Sequence, residues 1–160
     1  MLVYHGSTFK VEQPNLEVLN HRTDFGKGFY TTSDYNQAER WAKIKRKRLH
    51  ANSSYINVYE YIENNNLNIL DFKKTTEEWL KFVFKNRESN ILAHKYDIVK
   101  GPVANDNLYF TLSSYEKGAY DFEETIKRLK AYTLVNQLSF HTIKALETIS
   151  YVKTISIEEN

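Results

Sequence analysis

Three of the five glycines in this 160-residue chain stand beside groups that can bind or react. Gly6 lies between His5 and Ser7, while Gly26 and Gly28 flank Lys27 just before Phe29-Tyr30. Glycine is used where backbone takes φ > 0 or passes close to another group, so the Gly-Lys-Gly cluster predicts a tight loop against a ligand. Trp41 fits a buried helix stripe with Ala38 and Ala42, and His5 alone fits a hydrogen-bonded histidine at a strand end. His21, His50, His94 and His141 show no metal-ligand spacing, so no metal site is expected. The basic run at residues 43–48 reads as a solvated helix face, with a phosphate-tracking patch as the alternative.

The elements that must position these groups follow from short patterns. Residues 2–6 form a β-prone run that presents His5 at its end, and residues 29–32 a second short strand. Asp34 and Gln37 make a capping-box-like start for a helix reaching about Leu49, with a basic C-terminal end. Residues 55–62 alternate as a half-buried strand, and residues 67–72 are expected to pair with them as a hairpin across the turn at 63–66. A helix begins at Thr75 or Thr76 and runs to about Asn86, with a weaker one around 90–95. Residues 97–99 form a strand that ends at Gly101-Pro102. Helices are expected at 107–114, 122–130 and 142–148, with strands at 137–140 and 151–157. Strands mixed with helices make an α+β domain covering residues 1–160. Composition is 41% hydrophobic, enough for one core, and no apolar run is long enough to span a bilayer. The N-terminus lacks the pattern of a secretion signal, and the absence of cysteine removes disulfide and thiolate chemistry, which together suggest a cytoplasmic protein. A net charge of +2 does not by itself mark a nucleic-acid binder.

His5-Gly6-Ser7 on a first strand and Gly26-Lys-Gly-Phe-Tyr30 on a second resemble the NAD-binding half of ADP-ribosyltransferases, in the diphtheria-toxin and poly(ADP-ribose) polymerase branch. The stretch from Arg22 to Trp41, together with Asp97-Ile-Val-Lys-Gly-Pro-Val-Ala-Asn-Asp106 and Asn136-Gln-Leu-Ser-Phe-His-Thr142, resembles a family of small bacterial proteins of that superfamily, several of which are toxins of toxin–antitoxin pairs. The resemblance implies a split β-sandwich with inserted helices. It implies that His5 holds a ribose hydroxyl of NAD, that Gly6 grips the nicotinamide carboxamide beside Ser7, and that Tyr30 behind Gly28 packs on the nicotinamide ring with Trp41 as second face. Arg22 or Lys27 would meet the pyrophosphate, although a solvated charge is the default for Arg22, Asp24 and Lys27.

The branch has a glutamate at its third position, whereas the matching strand here carries Gln137. A neutral amide keeps the hydrogen bond to the nicotinamide-ribose 2′-hydroxyl but adds no anionic stabilisation as the glycosidic bond breaks. That argues against polymer elongation and for single transfer, or else for weak or no activity. Asp106 is a candidate for the missing carboxylate, or else caps the next helix. Asp97 and Asn105 are further polar groups of that motif. The expectation is therefore an NAD-dependent mono-ADP-ribosyltransferase of His-Tyr-Gln type, acting on a protein or nucleic-acid acceptor and held by an antitoxin protein. The alternatives are a non-catalytic NAD- or RNA-binding module and an NAD glycohydrolase.

Overall fold

Small residues set how the first helix lies on the sheet. In the computed structural model, which describes residues 1–17, 23–88, 94–103, 109–130 and 136–158, strand β1 (Leu2–Ser7) carries Gly6 beneath helix α1 (Tyr35–Leu49). A Cβ on Gly6 would stand 2.1 Å from the Ala38 carbonyl oxygen and 2.8 Å from the Ala42 nitrogen, so only glycine allows this approach. Asp34 caps α1 by accepting the Gln37 N–H at 2.9 Å. At the other end His50 takes a left-handed conformation (φ 51°), and its N–H closes on the Arg46 and Lys47 carbonyls.

The remaining elements are β2 (Phe29–Thr32), β3 (Tyr55–Tyr61), β4 (Ile69–Asp71), α2 (Glu77–Glu88), β5 (Ile98–Pro102), α3 (Tyr109–Glu116), α4 (Phe122–Lys130), β6 (Asn136–Phe140), α5 (Ile143–Leu146) and β7 (Ile149–Ser156). The fold is α+β, with one mixed seven-stranded sheet in the order β4-β5-β6-β2-β1-β3-β7. Every neighbouring pair is antiparallel except β4 and β5. The joint between β1 and β2 is thin: a single residue pair, Tyr4 with Thr32, connects them. By contrast, β1 pairs with β3 from Leu2 to Ser7, and β2 with β6 along its whole length.

Alternation sends Val99 to one core beside Phe25 of the glycine loop, where Trp79, Leu80 and Val83 of α2 meet Leu112, Ile126 and Leu129 of α3 and α4. Trp79 is fully buried and donates its indole N–H to the Pro102 carbonyl at 3.1 Å. The opposite face buries Val3, Phe29, Tyr59, Ile98 and Phe140 beside Ala145 of α5. Ala38 packs on Ile56 and Val58 under α1. No helix among the described residues is long and apolar enough to cross a membrane.

Two expectations are corrected. The hairpin between residues 55–62 and 67–72 does not form, because both edges of β3 are occupied, by β1 and β7. Strand β4 instead lies at the far edge, parallel to β5. The strand expected to end before Gly101-Pro102 runs through both, with Gly101 opposite Gln137 and Pro102 opposite Asn136. Gly101 marks close packing, since its Cβ would come within 3.0 Å of Phe72 and 3.2 Å of Phe25. Most of the helix expected around 90–95 lies outside the described residues.

Candidate functional site

The parting of β1 from β2 organises the candidate site. Beyond the Tyr4–Thr32 pair the strands are linked by a side chain: His5 Nδ1–H donates to the Tyr30 carbonyl at 2.7 Å. The His5 ring stacks on Phe29, with centroids 4.5 Å apart. Burial and then the Lys45 charge lower its pKa to about 3, so the ring is neutral and Nε2 remains an acceptor. Gly6 turns its carbonyl to Lys45, whose ammonium donates at 2.7 Å. Burial lowers the Lys45 pKa to about 8. Ser7 is buried, and its Oγ accepts the Phe9 N–H at 3.4 Å.

The glycine loop is tied down from three sides. Gly26 has φ 83°, a conformation that favours glycine. Tyr30 OH donates to the Gly26 carbonyl at 2.5 Å and accepts the Phe25 N–H at 3.1 Å, and burial pushes its hydroxyl pKa upwards. The Phe25 and Lys27 carbonyls accept from His94 Nε2 and His141 Nδ1, each at 2.8 Å. Gly28 leaves room for that second imidazole, since its Cβ would lie 2.6 Å from His141 Nδ1. With Nδ1 donating, His141 Nε2 accepts the Ser139 hydroxyl at 2.7 Å. Burial lowers the His141 pKa to about 4. This Ser–His pair has the hydrogen bond of a nucleophile and base, but Ser139 is fully buried and meets no incoming reactant. Its role is to brace the loop.

Gln137 lies opposite Thr32 in the ladder, on the same face of the sheet as Tyr30 by strand alternation. Its Nε2 donates to Asp24 Oδ2 at 3.1 Å, and Asp24 Oδ1 accepts from Arg87 Nε at 2.8 Å and Nη2 at 2.5 Å. Asp24 was expected to be a solvated loop charge; it is 5% exposed, paired with Arg87 from α2. Alternation puts His5 on the Val3 and Phe29 face, so His5 and Gln137 approach β2 from opposite faces. Trp41 is half-buried on α1, and no ring contact joins it to Tyr30 among the described residues. Arg22, Asn105 and Asp106 lie outside the described residues. Asp97 accepts from Thr142 Oγ1 at 2.6 Å and from the Asn68 N–H at 2.9 Å, which is a structural tie; the Thr142 bond lowers its pKa.

The basic run divides. Lys43, Lys47 and Arg48 are exposed, as a solvated face requires, but Lys45 turns inward to Gly6, and Arg46 Nε donates to the Ala51 carbonyl at 3.2 Å. Sequence reasoning missed the Asp24–Arg87 pair and the roles of His141 and Ser139. The latter two had a signal, because Gln137, Ser139 and His141 alternate along one strand face. Arg87 had none. Among the described residues no cluster fit to hold a metal ion occurs. A family model described as "Protein of unknown function (DUF3990)" matches residues 1–151. No curated protein and no solved structure matches the chain.

Proposed function

We propose an NAD-dependent mono-ADP-ribosyltransferase activity for this chain, which belongs to the DUF3990 family. The observation that carries the reading is the parting of β1 from β2 after one residue pair, with His5-Gly6 on one lip and Gly28–Tyr30 on the other. This thin joint within the single seven-stranded sheet is compatible with the split β-sandwich that the ADP-ribosyltransferase resemblance implies. The Gly6 carbonyl already accepts an N–H donor and suits a carboxamide. His5 Nε2 suits a ribose hydroxyl on one face of β2, and Gln137 stands with Tyr30 on the other.

In the proposed reaction NAD is a substrate. The bond from ribose C1′ to the pyridinium nitrogen breaks, and its electron pair leaves with neutral nicotinamide. A lone pair of the acceptor forms the new bond to C1′, and the acceptor's proton passes to solvent. Gln137, hydrogen-bonded to the 2′-hydroxyl, would hold the ribose in line, and the aromatic side chains would cover the leaving ring. A protein side chain or a nucleic acid is the acceptor. Water in that place makes the protein an NAD glycohydrolase. The role of an antitoxin-controlled toxin comes from the resemblance alone.

The second reading, a non-catalytic NAD- or RNA-binding module, is favoured by two ties: Lys45 on the Gly6 carbonyl and Asp24 on the Gln137 amide. Purified protein incubated with labelled NAD separates them. Transferase activity releases nicotinamide and labels total-cell protein or RNA, whereas a module binds NAD and releases nothing. An unmoved melting curve with millimolar NAD, together with no released nicotinamide, overturns the assignment.

A further inference from the structure

A carboxylate can only accept hydrogen bonds, so the contact between Gln137 and Asp24 decides which way the amide points. Nε2 must face Asp24 and Oε1 must face away. Arg87 meets the other oxygen of Asp24 through two donors, Nε at 2.8 Å and Nη2 at 2.5 Å. Among the described residues no donor reaches Gln137 Oε1, so the amide oxygen is a directed acceptor on a residue 2% exposed. Tyr30 stands near this group, since its hydroxyl accepts the N–H of Phe25, the residue next to Asp24, at 3.1 Å.

We propose that Asp24, anchored by Arg87, is a positioning residue that fixes Gln137 Oε1 as the acceptor for the substrate's ribose hydroxyl. The inference rests on the transferase reading and names a device within it. Without Asp24 the amide can rotate and present Nε2, a donor, to the same hydroxyl. The substrate still binds through its other contacts, but the ribose is held less firmly in line for displacement. The effect falls on turnover more than on affinity, and it requires an amide at position 137.

The test compares wild type, Asp24→Asn, Gln137→Ala and the double variant in nicotinamide release, with KM and kcat resolved. Asp24→Asn is expected to lower kcat about tenfold with KM nearly unchanged, and to do nothing further in the Gln137→Ala background. Asp24→Asn removes the negative charge that Arg87 meets; if it unfolds, the Asp24→Asn/Arg87→Gln pair removes both charges and carries the same comparison. Equal effects of the aspartate change with and without Gln137 overturn the positioning role while leaving the transferase reading intact. A wild type that neither binds NAD nor releases nicotinamide overturns both. In the NMR spectrum the Gln137 side-chain NH₂ signal is expected to be protected from solvent exchange in wild type and exposed in Asp24→Asn. An unprotected wild-type signal overturns the Asp24 tie whatever the activity.

Discussion

Replacing Gln137 by glutamate restores the residue type of the branch the chain resembles, yet it puts a second carboxylate where Gln137 Nε2 now lies 3.1 Å from Asp24. Two negative charges at that separation repel by about 5 kcal/mol at an effective dielectric near 20. Arg87, at 2.5 and 2.8 Å from the other Asp24 oxygen, offsets part of this, leaving a net penalty of about 2 kcal/mol. The new carboxyl then keeps its proton to about 1.5 pH units above its unfolded pKa near 4.3. Its folded pKa is raised, so the folded state binds more protons than the unfolded one between roughly pH 4 and 6. Stability relative to wild type therefore falls as pH rises through that window. At pH 8 the variant is expected to melt about 4–8 °C below wild type, with the gap shrinking to about 0.5 kcal/mol at pH 4.5. Nicotinamide release gains little from the lone substitution below about pH 5, where the new carboxyl is largely protonated. Moving the charge with Asp24→Asn/Gln137→Glu is expected to raise the rate about tenfold, because that carboxylate remains ionised. Thermal melting across pH and a nicotinamide assay read both effects. A melting gap independent of pH, or widest in acid, refutes the reasoning.

Acid is expected to unfold the wild type early: His5 and His141, neutral when folded with pKa values of about 3 and about 4, take up protons only on unfolding. Stability present above pH 6.5 is lost below it, by about 2–3 kcal/mol per pH unit near pH 5, as urea titrations at pH 7, 6 and 5 would measure. Gly6→Ala places a methyl against the Ala38 and Ala42 backbone and is expected to cost about 1–3 kcal/mol in chemical denaturation; an unchanged midpoint would contradict the close packing of α1 on β1. Lys45→Met frees the Gly6 carbonyl and is expected to tighten NAD binding about threefold or more by calorimetry. Weaker binding would instead assign Lys45 to the substrate's phosphates.

Local signals were legible where local physics decides them. The Asp34–Gln37 cap and the length of α1 could be read off, since both rest on residues within one turn. Strand β4 was legible as a strand, but its partner was not, because a three-residue strand carries no record of which edge is open. The glycines were read as marking close approach, and the approaching groups are from the protein itself: the α1 backbone at Gly6 and the His141 ring at Gly28. Asp24 was placed in solvent because a lone acid in a polar loop normally sits there. Its partner arrives from α2, sixty-three residues away, and nothing near Arg87 announces it.

The strand order also governs how the chain reaches its folded state. Strand β6 joins β5 to β2, and β7 covers β3, so each half of the sheet depends on a strand that comes late in the sequence. Thr31 and Leu138, joined across β2 and β6, are 107 residues apart. Such non-local pairing must recover a large loop-closure entropy before it stabilises anything, which places folding in the slow range of small domains. A chain truncated before β6 keeps β2 by its single residue pair with β1 and leaves β3 and β5 with open edges. Those bare edges are templates for intermolecular pairing, and fragments of this protein should aggregate where the whole chain folds.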